Sequence, residues 1–262
     1  MTTPLPRIPR LLGTVRTTAL EAAVLTGRLA LYSTGLLAER PAPHPPVDLP
    51  GPRPVVLVHG FVDNRSVFTL LRRSLTRHGW HRVTCVNYSP LTWDVRSAAA
   101  ALGEHVADVC ERTGQPAVDV VGHSLGGLIA RYYVQRLGGD AHVHTLVSLG
   151  TPHAGTRAVP ALSVHPLVRQ MRPGSGLLTE LAGPAPGCRT RFVSFWSEDD
   201  QVMAPVETAR LDHPDLRRRS VRVRGVGHLA MPVHSAVIAQ IRRELVGADD
   251  AEPVGAPAVE VA

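Results

Sequence analysis

The sequence predicts an α/β fold, a doubly wound and mostly parallel sheet of about six strands with a small cap region. Short runs rich in β-branched residues alternate with helical patterns from residue 55 to residue 246. The chain has 262 residues, of which 44% are hydrophobic, so it can bury one substantial core. A serine stands between two glycines in Gly122-His123-Ser124-Leu125-Gly126, directly after the apolar run 118–121. Together these observations favour a single main domain of strand-helix units.

Each predicted element follows from its local pattern, because strands are short apolar runs and helices repeat apolar residues every three or four positions. The predicted strands are 55–59, 83–87, 118–121, 143–149, 190–196 and 221–224. The predicted helices are 67–78, 95–112, 125–137 and 233–246. These elements assign 55–247 to the main domain.

The segment 1–38 differs in composition from the rest of the chain. It has an apolar stretch from Ala19 to Ala38, interrupted by Glu21 and Arg28, which disfavours a helix that spans a membrane. An amphipathic helix with a narrow polar stripe is expected. Three interpretations stay open: a helix at a membrane interface, a helix docked on the main domain, and an export signal. The protein is accordingly expected to be cytoplasmic, membrane-associated or secreted.

The two remaining segments are predicted from composition. Residues 39–54 include seven prolines, which indicates a semi-rigid linker. Residues 248–262 are first acidic, then small and proline-containing, which predicts a disordered tail.

The charge balance allows a nucleic acid or an anionic membrane as a partner, because all 28 basic residues are arginine and the formal net charge is +6. The arginines are scattered, and the densest cluster, 217–219, is placed just before a predicted strand. No nucleic-acid-binding motif accompanies them. We therefore expect no nucleic-acid partner.

The cysteines and histidines offer little metal or disulfide chemistry. Cys85, Cys110 and Cys188 are too few for a disulfide framework and are interpreted as small hydrophobic residues, with one bridge left open for an exported protein. His142 and His144 share one face of a strand but lack a third ligand at a recognisable spacing. The expectation is an activity without a metal or an organic cofactor.

Ser124 is the candidate nucleophile. The apolar run before it is a predicted strand and residues 125–137 are a predicted helix, so the serine lies on a sharp turn at the carboxyl end of the strand. Glycines on both sides allow the strained backbone that such a turn requires. A serine that only caps the helix also fits the turn, but it does not explain both glycines.

A serine hydroxyl needs a base, and on such a sheet the acid and the histidine follow the serine in that order. Only His213, His228 and His234 lie beyond the acidic cluster. His228 follows the sixth predicted strand in a glycine-containing loop and is therefore the candidate base. His213 lies in a turn and His234 begins the last helix.

The candidate acid lies in Ser197-Glu198-Asp199-Asp200, after the fifth strand. Asp200 is preferred to Asp199, because the apolar residues that follow it could shield a carboxylate bonded to imidazole. Residue types alone do not decide between the two, and some of these acids could cap the following helix.

The oxyanion formed on attack needs two donors. The backbone amide of Leu125, immediately after the nucleophile, is one candidate. The amide of Phe61 is the other, because Gly60 permits a turn after the first strand. The side chain of His59 is then expected to be structural.

At this point the chain resembles the α/β-hydrolase superfamily, and within it small bacterial triacylglycerol lipases and esterases. The resemblance rests on Val-Leu-Val-His-Gly-Phe at 56–61, Val-Gly-His-Ser-Leu-Gly-Gly at 121–127 and Gly-Thr-Pro-His-Ala-Gly-Thr at 150–156. It extends to the acid loop at 200–205 and the histidine loop at 227–228, and covers about 55–246.

This resemblance implies a serine carboxylic ester hydrolase, with Ser124 as nucleophile, His228 as base and then acid, and Asp200 as its orienter. An acyl ester, with lipids favoured, is the implied substrate, and peripheral membrane contact through 1–38 remains open. Acyl transfer and a non-catalytic binding role are the alternatives. Between 155 and 189 there is room only for a small cover. Its apolar residues form either an acyl site with a mobile flap or a simple cover for the sheet: Leu167, Val168, Met171, Leu177, Leu178 and Leu181.

Overall fold

The fold is described by a computed structural model for residues 8–36, 51–88, 92–158, 163–247 and 259–261. The strands are β1 (Val55–Val58), β2 (Val83–Val86), β3 (Val118–His123), β4 (Val143–Leu149), β5 (Arg191–Ser197), β6 (Arg217–Val223) and β7 (Val259–Val261). They form one sheet in the order β2-β1-β3-β4-β5-β6-β7, and all neighbouring strands in it are parallel. The predicted fold class is therefore confirmed.

Helices cover both faces of this sheet. They are α1 (Ile8–Leu36), α2 (Thr69–Arg77), α3 (Val95–Thr113), α4 (Leu125–Arg136), α5 (Pro166–Gln170), α6 (Gly176–Ala182) and α7 (Ser235–Val246). Alternation along β1 shows the two layers: Val56 and Val58 pack in one core cluster with α3 and α4, whereas Val55 and Leu57 pack in another with α2 and α7. Strands buried on both faces explain the continuous apolar runs in the sequence.

Helix α1 is docked on the main domain. Leu20 and Val24 pack against the cluster that contains α2 and α7, and Thr17 and Arg28 are buried. Thr17 and Arg28 therefore face the domain. No helix in the described part of the chain is long and apolar enough to cross a membrane. Residues 39–50 of the predicted linker lie outside the described residues, as do 37–38 of the N-terminal segment, and 51–54 lead directly into β1.

Two sequence predictions were wrong at the far edge of the sheet. Residues 259–261 belong to the predicted disordered tail but form β7, which pairs with Val221–Val223; the rest of 248–262 lies outside the described residues. The arginines 217–219 were placed before a strand but lie inside β6, where Arg218 pairs with Asp212 and Arg219 lies 3.5 Å from Glu244. These carboxylates allow arginine at positions where strands usually carry apolar residues.

A buried ion pair ties the sheet to α7. Both Arg191, the first residue of β5, and Glu244 in α7 are buried. Nη2 of Arg191 donates to Oε2 of Glu244 at 2.5 Å, and Nη1 donates to the Glu244 carbonyl at 3.0 Å. Nε2 of Gln240 donates to Oε1 of Glu244 at 2.6 Å. The carboxylate thus neutralises an arginine that has little access to water.

We predict that Glu244→Ala lowers the free energy of unfolding by about 3–5 kcal/mol, because it removes the carboxylate that bonds the buried guanidinium of Arg191. The control is Asp212→Ala, which removes an 87% exposed partner of Arg218 and should cost no more than about 1 kcal/mol. Urea unfolding followed by circular dichroism measures both. Equal losses in the two variants would contradict the prediction.

Candidate active site

Ser124 lies at the turn between β3 and α4 with φ 54° and ψ −121°, a backbone conformation that costs a non-glycine residue about 1–3 kcal/mol. Three hydrogen bonds hold it there: its amide donates to the Leu149 carbonyl at 2.8 Å, and its carbonyl accepts from the amide of Gly127 at 3.1 Å and from Oγ1 of Thr151 at 3.0 Å. The serine side chain makes no capping bond to α4. Helix capping therefore does not explain this serine.

The glycines around Ser124 are needed for close packing. A methyl group added to Gly126 would lie 2.1 Å from the Val58 carbonyl oxygen, and one on Gly122 would lie 2.6 Å from the backbone of Gly127. A methyl group on Gly127 would lie 1.9 Å from Oγ1 of Thr151. Any larger residue would push α4 away from the sheet, so the sharp turn depends on all three glycines.

His228 and Asp200 form a buried pair at the same edge of the sheet. Nδ1 of His228 lies 2.8 Å from Oδ2 of Asp200. The other carboxylate oxygen, Oδ1, accepts from the amides of Val202 at 2.9 Å and Met203 at 3.0 Å. The backbone of the residues that follow Asp200 therefore stabilises its negative charge, whereas sequence reasoning expected only their side chains to shield it.

The neighbouring Asp199 bonds the backbone of the histidine loop rather than the imidazole of His228. Its Oδ2 accepts from the amide of Gly225 at 2.8 Å, so it anchors the start of the loop that carries His228. Gly225 has φ 67°, which lets the chain turn after β6. Each of the two adjacent aspartates thus bonds a different part of the histidine loop.

His123 links the serine turn to this loop, a contact that the sequence did not indicate. Its Nε2 lies 3.1 Å from the His228 carbonyl oxygen, and the rings of the two histidines have centroids 4.9 Å apart. Burial, with a further contribution from His228, lowers the pKa of His123 well below its ordinary value. We therefore treat His123 as neutral, with Nε2–H donating to that carbonyl. This contact, from the residue next to Ser124, brings the serine turn and the histidine loop together.

Gly150 lies against the His228–Asp200 pair and was also missed. It has φ 52°, and an added methyl group would lie 2.9 Å from Oδ2 of Asp200 and 3.0 Å from Nδ1 of His228. The carbonyl of the preceding residue, Leu149, accepts a hydrogen bond from the Ser124 amide. The space beside the pair is therefore open only to glycine. The segment 150–156 had been noticed for its resemblance, but its local pattern gave no reason for this glycine.

The loop after β1 passes beside Ser124. A methyl group on Gly60 would lie 3.1 Å from Cβ of Ser124. The Tyr88 hydroxyl lies 2.8 Å from the Gly60 carbonyl oxygen, and Nδ1 of His59 lies 2.9 Å from the same oxygen. Because the N–H of a trans peptide points away from its C=O, these contacts orient the Phe61 amide away from Tyr88. His59 also stacks on Tyr88, consistent with the structural role expected for it.

Helix α1 bonds two loops of the candidate site, the loop that carries His228 and the loop after β1. Oε2 and Oε1 of Glu21 accept from the amides of Leu229 and Ala230, each at 2.8 Å, directly after His228. Nη2 of Arg28 donates to the Leu229 carbonyl at 2.7 Å, and Nη1 donates to Oδ2 of Asp63 at 2.8 Å. The two charged residues that interrupt the apolar segment are therefore the ones that contact the site.

The contacts of Glu21 and Arg28 each lie next to a backbone position with a steric constraint, Gly227 and Val62 respectively. A methyl group on Gly227 would lie 2.5 Å from Cδ of Glu21, so this glycine admits the carboxylate rather than only letting the loop curl. Val62, next to Asp63, has φ 58°, an unfavourable value for a β-branched residue. Arg28 bonds Asp63, the residue that follows Val62.

A second serine-histidine contact lies nearby. Oγ of Ser148 is 2.8 Å from Nε2 of His153, but Ser148 lies within β4 rather than on a turn. Burial lowers the pKa of His153 well below its ordinary value, which makes it a poor proton acceptor. Ser148 is therefore a useful comparison for Ser124.

The other histidines and the cysteines make ordinary contacts. His213 bonds the Gly183 carbonyl and the Asp215 amide, and His234 precedes α7. The three cysteines are free thiols and half-buried. Within the described ranges, no three His, Cys, Asp or Glu side chains are grouped so that they could hold a metal ion.

The small cover is packed in the core. Its six apolar residues all belong to the cluster with α3 and α4 and are at most 7% exposed. Polar contacts fasten it as well: Nη2 of Arg131 donates to the Leu181 carbonyl at 2.9 Å, and Oη of Tyr132 donates to Oε1 of Glu180 at 2.6 Å. Of the two interpretations, this packing favours a cover for the sheet.

Comparison with solved structures places this architecture among the α/β-hydrolases. Mature Bacillus licheniformis lipase BlEst2 superposes with a TM-score of 0.64 at 15% identity, covering 79% of this chain and 96% of the lipase. Aspergillus fumigatus lipase B has a TM-score of 0.66 at 15% identity, covering 74% of this chain and 52% of the lipase. An esterase from Pyrobaculum calidifontis has a TM-score of 0.57 at 16% identity, covering 92% and 98%. The chain has the α/β-hydrolase fold, as the sequence resemblance implied.

The family model of palmitoyl protein thioesterases matches residues 54–182. The match includes β1, the Ser124 turn, the segment 150–156 and both cover helices, and it ends before Asp200 and His228. The match therefore covers the Ser124 turn but not the loops that carry Asp200 and His228.

We predict that Gly150→Ala lowers kcat for a soluble short-chain ester by about 100-fold, because small displacements of reacting groups are costly. The added methyl group would separate His228 from Asp200. Gly138→Ala is the control, because Gly138 also has a positive φ, 74°, but has open space around its Cα. That change should cost about 1–2 kcal/mol of stability and leave kcat unaltered. Steady-state kinetics and thermal unfolding measure both, and a similar loss of kcat in the two variants would contradict the prediction.

We further predict that Glu21→Ala lowers kcat about 10- to 100-fold with a smaller change in KM, because the loop that carries His228 loses two hydrogen bonds. Glu21→Gln retains one acceptor oxygen and should recover part of kcat, which a purely structural loss would not produce. Glu104→Ala, an exposed glutamate of α3, is the control. A kcat for Glu21→Ala equal to that of the unmodified chain would show that the contact does not position His228.

Proposed function

We propose that the protein is a serine hydrolase of carboxylic acyl esters that works through an acyl-enzyme, with Ser124 as nucleophile, His228 as general base and then acid, and Asp200 as the residue that orients His228. The observations that carry this proposal are the buried His228–Asp200 pair and the strained backbone of Ser124, whose neighbour His123 contacts the His228 carbonyl. Together these residues would provide the base, its orienter and the nucleophile.

In the proposed reaction, Oγ of Ser124 attacks the ester carbonyl carbon while its proton passes to Nε2 of His228. The tetrahedral oxyanion is stabilised by the amides of Leu125 and Phe61. Collapse breaks the ester bond, and the leaving alcohol takes the proton from His228. Water then loses a proton to His228 and attacks the acyl carbon, which releases the acid and restores Ser124. Asp200 would keep the imidazole oriented and stabilise it when it carries the extra proton.

The surroundings of the two donors support this assignment. Leu125 is the first residue of α4, where backbone amides have no acceptor four residues back and the helix dipole favours negative charge. The Phe61 amide belongs to the peptide whose carbonyl is fixed by Tyr88 and His59. Burial raises the pKa of Tyr88, so its hydroxyl stays protonated and can donate a hydrogen bond to the Gly60 carbonyl.

An apolar rim favours an acyl substrate. Phe61 packs edge-on against His165 with centroids 5.0 Å apart, and His165 stacks on Trp93 at 5.6 Å. Trp93 is 59% exposed, and Val62 and Val202 are exposed beside the loops that carry Phe61 and Asp200. Exposed apolar residues around a catalytic edge suit a substrate with a hydrocarbon chain.

A thioester hydrolase is the second candidate, and the palmitoyl protein thioesterase match favours it. The same serine, base and oxyanion donors would serve, with a thiol as the leaving group in place of an alcohol. The two candidates are separated by rates on an oxygen ester and a thioester that carry the same acyl chain.

We predict that Ser124→Ala abolishes covalent labelling by a fluorophosphonate and lowers ester hydrolysis by at least about 10³-fold, because the acyl-enzyme cannot form. Ser148→Ala is the matched control and should retain labelling and activity. Labelling is measured by mass spectrometry of the intact chain, and hydrolysis with p-nitrophenyl esters of increasing chain length. Full labelling of the Ser124→Ala protein, or its loss only in Ser148→Ala, would refute the assignment of the nucleophile.

A further inference from the structure

Between residues 17 and 35, where its side chains are described, helix α1 presents an uncharged face to solvent. Its charged residues between Thr17 and Leu36 are Glu21 and Arg28, and both are turned toward the main domain. Leu25 and Leu29, one turn apart, are 47% and 69% exposed. The remaining exposed positions of this stretch are all uncharged: Thr18, Ala19, Ala22, Ala23, Thr26, Gly27, Ala30, Leu31, Ser33 and Thr34.

This distribution differs from that of a typical surface helix, which turns its charged side to water. The inward charges are accounted for by the loops around His228 and Asp63. An exposed leucine pair, on an outward face that carries no charge between 17 and 35, suits burial at an apolar surface.

Positive charge lies at the C-terminal end of the same helix. A cleft of about 450 Å³ is bounded by Thr34 and Gly35 of α1 and by arginines on and near α2. Arg73 and Arg77 are exposed on α2, one turn apart, and Leu70 on the preceding turn is also exposed. The arginines that line the cleft are Arg65, Arg72, Arg73 and Arg77.

We propose that this surface, defined as the outward face of α1 with the arginines of α2, binds the surface of an anionic phospholipid membrane. Leu25 and Leu29 would enter the boundary between headgroups and acyl chains, while Arg73 and Arg77 contact headgroup phosphates. The net charge of +6 adds to the attraction. An apolar strip beside clustered arginines matches a lipid surface of this kind in both respects.

The position of the surface relates it to the candidate active site. The loop that follows His228 contacts the inner side of α1 through Glu21 and Arg28. A membrane on the outer side would therefore lie about one helix diameter, ~10 Å, from that loop. The inference does not depend on the proposed chemistry, because its test measures binding and not hydrolysis.

The test is flotation of the full chain with two kinds of vesicle, phosphatidylcholine alone and phosphatidylcholine mixed with phosphatidylglycerol. We expect the protein to float with the anionic vesicles, more weakly with the neutral ones, and less at high salt. The double change Leu25→Asp, Leu29→Asp should lower binding to anionic vesicles about tenfold or more, since each leucine contributes apolar area. Arg73→Glu with Arg77→Glu should remove the preference for anionic lipid.

Leu137→Asp is the matched control, because Leu137 is 45% exposed at the end of α4 and lies outside the proposed surface. Thermal unfolding verifies that each variant is folded. The proposal is overturned if the unmodified chain stays with the soluble fraction, or if the Leu25/Leu29 variant binds as well as Leu137→Asp. It is also overturned if light scattering shows a dimer that only the Leu25/Leu29 variant dissociates, because the face would then join two copies of this chain.

Discussion

The left-handed backbone at Ser124 is the constraint on which the rest of the site depends. It is maintained because β1, β3 and the start of α4 approach so closely that Gly122, Gly126 and Gly127 have no room for a methyl group. The Leu149 carbonyl, which accepts from the Ser124 amide, and the Thr151 hydroxyl, which donates to the Ser124 carbonyl, then fix the strained backbone. The parallel sheet brings the parts of the site together, since the carboxyl ends of its strands lie at one edge. The loops that carry His228 and Asp200 begin at that edge.

The loops around the serine are held mainly by groups that would not touch a substrate. Asp199 fixes the start of the histidine loop, Glu21 fixes its continuation, and His123 bonds the His228 carbonyl. For the proposed reaction such support would matter, because an imidazole that is already oriented needs no rearrangement. Helix α1 is thus part of this support, although it lies far from Ser124 along the chain.

The sequence predicted the local elements well and the long-range contacts poorly. Apolar runs located the first five strands, because each run is contained in a short segment. Chain order left three histidines, and the glycine-containing loop after the sixth predicted strand favoured His228. Asp200 was preferred to Asp199 because of its apolar neighbours, but the roles of both depend on the amides of Gly225, Val202 and Met203, which only the fold brings to them. The strand at 259–261 was missed because three residues in a proline-containing tail gain their order only from pairing with β6.

The N-terminal segment shows why composition alone left several interpretations open. In the sequence, Glu21 and Arg28 interrupt an apolar run. This argues against a helix that spans a membrane, but it does not predict what the two side chains contact. Their acceptors and donors are Asp63, Leu229 and Ala230, and only the folded chain brings these together. Because both charges bond on the inner side, the described outer face between 17 and 35 carries none, so the contacts that order the loop of His228 also create the apolar surface. A single helix therefore carries two constraints on opposite faces, and substitutions on each face should act on separate properties, turnover on the inner side and surface binding on the outer.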